Sequence, residues 1–178
     1  IKELNKVFFF GFWARLDGYA AKTGRKPSPD TLEPVMWSLY NATKAIGPQE
    51  FFAAMGAVNV ARRKFSQVFT QCDVVLSPTT ARTAEPWGKL GLSVPGATAE
   101  NMTETIFPIP VQYTIPYNLL GTPAISLPLA MHSNGLPIGV QLAGKAAEEH
   151  VLLQLATALE EAMPWAKRVP TMHASKVS

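Results

Sequence analysis

Apolar residues recur at helical spacing through the first third of the chain. Phe8, Phe12, Leu16 and Tyr19 share one face, with Lys6, Arg15, Asp17 and Lys22 elsewhere around the wheel, which predicts one amphipathic helix. The stretch Gly24 through Pro29 ends it. Pro34 suits the first turn of a second helix running to about Ile46, and Gly47-Pro48 stops that one. A third helix is predicted from Pro48 to about Thr70. Phe51, Phe52, Met55, Val58, Arg62, Phe65 and Phe69 lie along one broad face of it, and core packing accounts for such a stripe better than a ligand box does.

The pattern changes at Asp73. Val74-Val75-Leu76 reads as a short buried strand ended by Ser77-Pro78. From Thr79 to Tyr117 neither period is sustained, and Pro86, Pro95, Pro108, Pro110 and Pro116 punctuate the run, with a short helix expected around Ala99 to Thr105. Loops of this length inside a compact domain are usually functional or poorly ordered.

Alternation returns at Ala124. Ile125, Leu127, Leu129 and Met131 occupy one face of a predicted strand, opposite small residues and Pro128. Ser133-Asn134-Gly135 supplies a turn, and Pro137 to Gly144 repeats the pattern with Ile138, Val140 and Leu142 against Gly139, Gln141 and Ala143. These two strands predict an antiparallel hairpin whose small side lets helix or backbone come close. Pro128 has no N–H to give a ladder and needs local accommodation. A last helix is predicted from about Ala146 to Met163, with Glu148 and Glu149 suiting its positive end. Pro164 stops it, Trp165 is expected to tuck against the hairpin, and Thr171 to Ser178 read as a loose tail.

Composition narrows the class. The 178 residues are 47% hydrophobic and 16% charged, enough for one domain with a core, and so few charges suggest that more protein covers part of the surface. The chain begins at Ile1 without an initiator Met, as expected of a piece of a longer protein, a processed product or a trimmed chain. A net charge of +3, with Arg62-Arg63-Lys64 inside a helical pattern, gives no stripe for nucleic acid, so no nucleic-acid partner is expected. The apolar run Val7 to Ala14 has eight residues against the roughly 20 of a bilayer span, and no membrane partner is expected. Cys72 is the single cysteine, expected to be buried and inert, and a reducing, cytoplasmic compartment follows.

No self-contained active site emerges. Gly91-Leu92-Ser93-Val94-Pro95 lacks the second glycine of a nucleophile elbow, and His132, His150 and His173 are scattered, so neither a metal nor a cofactor is expected. Glu148-Glu149 and Glu160-Glu161 are adjacent on helices and point apart, making poor acid/base partners. From the residues alone this is an α/β domain with a large Pro/Gly-rich loop.

Four blocks, in order, nonetheless resemble the end of the amidase signature fold. They are Cys72-Asp73-Val74-Val75-Leu76-Ser77-Pro78-Thr79; Pro116-Tyr117-Asn118-Leu119-Leu120-Gly121-Thr122-Pro123-Ala124 through Pro128; Gly135-Leu136-Pro137-Ile138-Gly139-Val140-Gln141-Leu142; and the closing helix with Leu159-Glu160. Met163-Pro164-Trp165 is similar to the branch that includes hydrolases of cyclic nylon oligomers. The resemblance implies the C-terminal segment of an amidase domain over residues 1–178: helical from 1 to 71, strands, long loop, hairpin and closing helix from 72 to 165, and a tail from 166 to 178.

It also implies hydrolysis of carboxamides by a Ser–cis-Ser–Lys triad with a backbone oxyanion hole. The Gly/Ser-rich signature and the Lys are not in this chain, so no residue is named catalytic and the chain alone is expected to be inactive. Its expected partners are the missing N-terminal half or a second, self-associating copy, with a small-molecule amide as the parent's substrate. Within the long loop, Trp87, Ile109, Tyr113 and Thr114 are the expected pocket-wall residues, ordinary packing being the competing account. Asn118 and Gln141 are expected to tie down backbone, Gly121 and Gly139 to serve backbone geometry or close packing. The alternative to an amidase segment is a stand-alone, non-catalytic binding module or truncated product acting through a partner.

Overall fold

A computed structural model describes residues 2–106, 110–170 and 172–174. Where one N-terminal helix was expected there are two, α1 (Lys2–Phe9) and α2 (Phe12–Thr23). The break falls at Gly11, whose φ of 73° is left-handed and cheap only for glycine. The reorientation overturns the expected stripe: Phe8 and Tyr19 are exposed, while Phe9 and Phe12 turn onto a buried cluster.

Helix α3 (Pro34–Lys44) starts on a proline that needs no N–H partner there and buries Val35, Leu39, Tyr40 and Thr43. Helix α4 (Pro48–Ser66) also begins on proline and tightens into a 3₁₀ turn over Gln67–Thr70. The expected α4 stripe is divided. Phe51 stacks on Phe10 with centroids 4.0 Å apart, and Phe65 meets Phe69 and Tyr117 edge-on. Phe52 and Met55 are exposed, and Ala54 is the residue α4 buries fully. Helix α1 packs along one part of α4 and the segment around Tyr117 against another, so the stripe is covered in patches.

Strand β1 (Val74–Pro78), β2 (Ala124–Met131) and β3 (Pro137–Gly144) form an antiparallel sheet in the order β1-β3-β2. β1 was expected to be buried; it is an edge strand, with Leu76 68% exposed. Cys72, just before it, is half-buried rather than buried, its thiol donating to the Val68 carbonyl. The hairpin forms as expected. Pro128 is accommodated at a register irregularity between Leu127 and Ala130 on an edge strand, where a missing N–H costs no ladder bond.

The large face of the sheet carries Leu127 and Leu142 against Leu152 and Ala156 of α7 (Glu149–Ala162), with Ile125, Leu129 and Trp165 around them. A second cluster lies elsewhere: Val35 and Leu39 of α3 pack with Ala97, Met102 and Ile106 from the long loop and α5 (Met102–Thr105). The Pro/Gly-rich run is therefore half anchored. Val35 N–H donates to the Leu92 carbonyl, and Ala99 N–H donates to Ser38 Oγ. A short helix that periodicity did not reveal, α6 (Ile115–Leu120), leads into β2. Among the described residues no helix is long and apolar enough to cross a membrane.

Candidate functional site

Strand alternation puts Val75, Ser77, Gly139, Gln141, Ala143, Ala124 and Ser126 on the face of the sheet opposite α7. Ser77, Gln141 and Ser126 form one rung across the three strands, because Gln141 is the register partner of both serines. Two residues along β3, Gly139 lies beneath two hydroxyls. A Cβ there would stand 2.8 Å from Thr79 Oγ1 and 3.1 Å from Ser126 Oγ, and these two hydroxyls hydrogen-bond each other. The small face is small because side chains from neighbouring strands meet over it.

Segment 110–114 and α6 cover this face. Gln141, 4% exposed, donates from Nε2 to Ser77 Oγ at 3.1 Å and to the Tyr113 carbonyl at 2.8 Å. Tyr117 is buried, and burial raises its phenol above the ordinary range, the Ser77 hydroxyl opposing with a smaller lowering. The far end of α6 is held by Arg62, whose Nε donates to the Leu120 carbonyl at 2.6 Å. Asn118 donates to the Thr114 carbonyl, so both amides, Asn118 and Gln141, tie down backbone as expected.

These hydroxyls are not set up as nucleophiles. Ser77 accepts from Gln141 and donates to the Pro78 carbonyl; Ser126 is paired with Thr79. Neither has an imidazole, amine or carboxylate among its hydrogen-bond partners, and a serine without an adjacent base is weak at neutral pH. His132 accepts at Nδ1 from the Asn134 N–H, a hairpin-turn role. Among the described residues no group of three His, Cys, Asp or Glu could hold a metal ion.

The expected pocket-wall residues separate. Tyr113 and Thr114 sit together on the small face, Tyr113 at the margin of exposure and Thr114 half-buried with its hydroxyl donating to the Val111 carbonyl. Trp87 is fully exposed and borders a shallow depression of about 260 Å³ with Glu33, Leu90, Leu92 and Val94, beside the start of α3. Ile109 lies outside the described residues. Arg62 and Ser77, which hold α6 and Gln141, were missed as site-supporting residues: each takes its role from a partner far along the chain.

A family model described as Amidase matches residues 9–153. The chain is 31% identical over 153 residues to the 6-aminohexanoate-cyclic-dimer hydrolase of Paenarthrobacter ureafaciens, covering 84% of this chain and 31% of that protein. It is 29% identical over 157 residues to a glutamyl-tRNA(Gln) amidotransferase component from a Picosynechococcus strain, covering 88% of this chain and 30% of that one. A solved 6-aminohexanoate cyclic dimer hydrolase complexed with substrate superposes with a TM-score of 0.81 at 26% identity, over 96% of this chain and 37% of that structure. The chain thus spans about a third of the length of the curated relatives it matches.

Proposed function

The chain belongs to the amidase signature family, and from that premise we propose that it is the C-terminal segment of an enzyme that hydrolyses carboxamide bonds. The observation that carries this reading is the match over 84% of the chain to 31% of the cyclic-dimer hydrolase, by a segment whose small-face hydroxyls, Ser77 and Ser126, have no base beside them. The nucleophilic Ser, the cis-Ser that relays its proton and the Lys that accepts it come, in this reading, from the N-terminal part of the parent, with a backbone oxyanion hole. This segment supplies three strands of sheet and one wall of the substrate pocket. Tyr113 and Thr114 are the wall residues best supported, because they share a face with a buried polar rung. Trp87 contributes through its exposed indole, and Ile109 belongs to the same loop. Cyclic or linear amides of aliphatic amino acids are the substrate class suggested by the cyclic-dimer hydrolase relative. The partner in this reading is the missing N-terminal half, and the setting is a reducing, cytoplasmic one, in keeping with a single cysteine.

Intact mass under denaturing conditions, followed by an amide screen, tests the proposal. Protein heavier than 178 residues should release free amine from such amides, and the 178-residue chain by itself should release none. Turnover by the short chain, or none by a parent carrying a Gly/Ser-rich signature in frame, overturns the reading. In the second case a non-catalytic binding module takes its place.

A further inference from the structure

Segment 110–114 has no regular structure; it is a run of turns entering α6. Its hydrogen bonds are local: Thr114 N–H, Ile115 N–H and the Thr114 hydroxyl all donate to the Val111 carbonyl, and Asn118 donates to the Thr114 carbonyl. Among the described residues, one hydrogen bond leaves this stretch for the rest of the fold, from Gln141 Nε2 to the Tyr113 carbonyl. The other end of α6 is held independently, by Arg62 on the Leu120 carbonyl and by Tyr117 against Phe65.

A buried amide in the centre of a sheet needs a reason, since an apolar side chain of the same size would pack there without a desolvation cost. Both Nε2 protons of Gln141 are used, one on Ser77 and one on Tyr113. Ser77 already shares its rung and needs no second tether. Loss of the amide would leave the Tyr113 carbonyl without its partner and free the segment to move as a local unit.

We propose that Gln141 is a positioning residue: it sets the placement of Tyr113 and Thr114, and through them the substrate selectivity of the parent enzyme, without touching substrate. The inference rests on the reading of Tyr113 and Thr114 as pocket wall. It would place a specificity determinant on the middle strand, beneath the residues that express it.

Two readouts test it separately. Hydrogen exchange at residues 111–114 is compared in the chain as it stands and in Gln141→Met, Gln141→Asn and Ser77→Ala. Exchange should quicken about tenfold in both Gln141 variants and change less than about twofold in Ser77→Ala, with α7 unaffected throughout. Should Gln141→Met not fold, Gln141→Asn, which keeps an amide one methylene short of Tyr113, decides the point. Unchanged exchange at 111–114 in a folded Gln141 variant overturns the proposal. In the parent, Gln141→Asn should raise KM for bulky amides about tenfold while kcat moves less than about threefold, and small amides should be nearly unaffected. Equal losses for bulky and small amides also overturn it. Absence of amide turnover by the unsubstituted parent sinks the functional reading instead, and the exchange result then judges the positioning role alone.

Discussion

The guanidinium of Arg62 is seated over Gly121. A Cβ on that glycine would lie 2.6 Å from Arg62 Nη2, while Nε donates to the carbonyl of Leu120 next door. Gly121 caps α6 at φ 68°, so one residue meets two demands, left-handed backbone and room for a side chain from α4. Gly121→Ala is therefore expected to destabilise the chain by about 2–3 kcal/mol, combining about 1–2 for an L-residue in that region with about 1 for the displaced hydrogen bond. Urea unfolding of the two proteins measures it. A loss below about 0.5 kcal/mol would show that Arg62 moves aside freely.

Gly139→Ala should cost about 1–3 kcal/mol, the range for inserting a methyl group into a packed site. The obstacle is Thr79, whose Cβ would be 3.1 Å from the new one and whose backbone N–H is fixed on the Gly139 carbonyl. Adding Thr79→Ala to Gly139→Ala should recover part of the loss. Strict additivity of the two changes in denaturation would rule out the contact.

Ala147 sits at φ 64° in the connection from β3 to α7, the one non-glycine among the described residues with a left-handed backbone. Ala147→Gly is expected to raise stability by roughly 0.5–1 kcal/mol, because relief of the Cβ clash exceeds the added freedom of the unfolded chain. Thermal melting at neutral pH reads the sign directly. A lowered midpoint would contradict it.

Tyr117 should make the fold sensitive to alkali. Burial raises its phenol, so the unfolded chain loses that proton first, around pH 10, while the folded chain still holds it. Its contribution is intact below about pH 10 and is lost as pH rises toward the raised folded value. Lys6, Lys44 and Lys145, held protonated by Glu50, Tyr40 and Asp73 respectively, push the same way, so the informative quantity is a difference. Melting midpoints of the chain and of Tyr117→Phe, followed from pH 9 to 11.5, should fall less steeply for Tyr117→Phe. Parallel curves would mean the phenol does not titrate with unfolding.

Periodicity and turn chemistry made most elements legible. The hairpin was readable because Asn134-Gly135 and the alternation of Ile125, Leu127, Val140 and Leu142 agree on one register, and α3 and α4 because proline marks the start of each. Side-chain chemistry at Gln141 and Asn118 was readable too, since buried or loop-facing amides seek backbone. The N-terminal stripe was misread because one glycine, Gly11, changes the phase of a helix that composition treats as continuous. Helix α6 was missed because six residues are too few to show a period, and tertiary anchors at both ends hold it.

By itself, the sequence determined most of the local choices: where α3, α4 and α7 coil, where the hairpin pleats, and which face of the hairpin is large. The tertiary structure decided which residues act together. Ser77, Tyr113 and Gln141 are 28 to 64 positions apart, and Arg62 and Leu120 are 58. No local pattern encodes such pairs, because a hydrogen bond between distant residues exists only after the sheet's register and the helix's docking have brought donor and acceptor within about 3 Å. The anchoring of Tyr113 is of that kind: its residue type was visible along the chain, and its partner came from a strand folded beneath it.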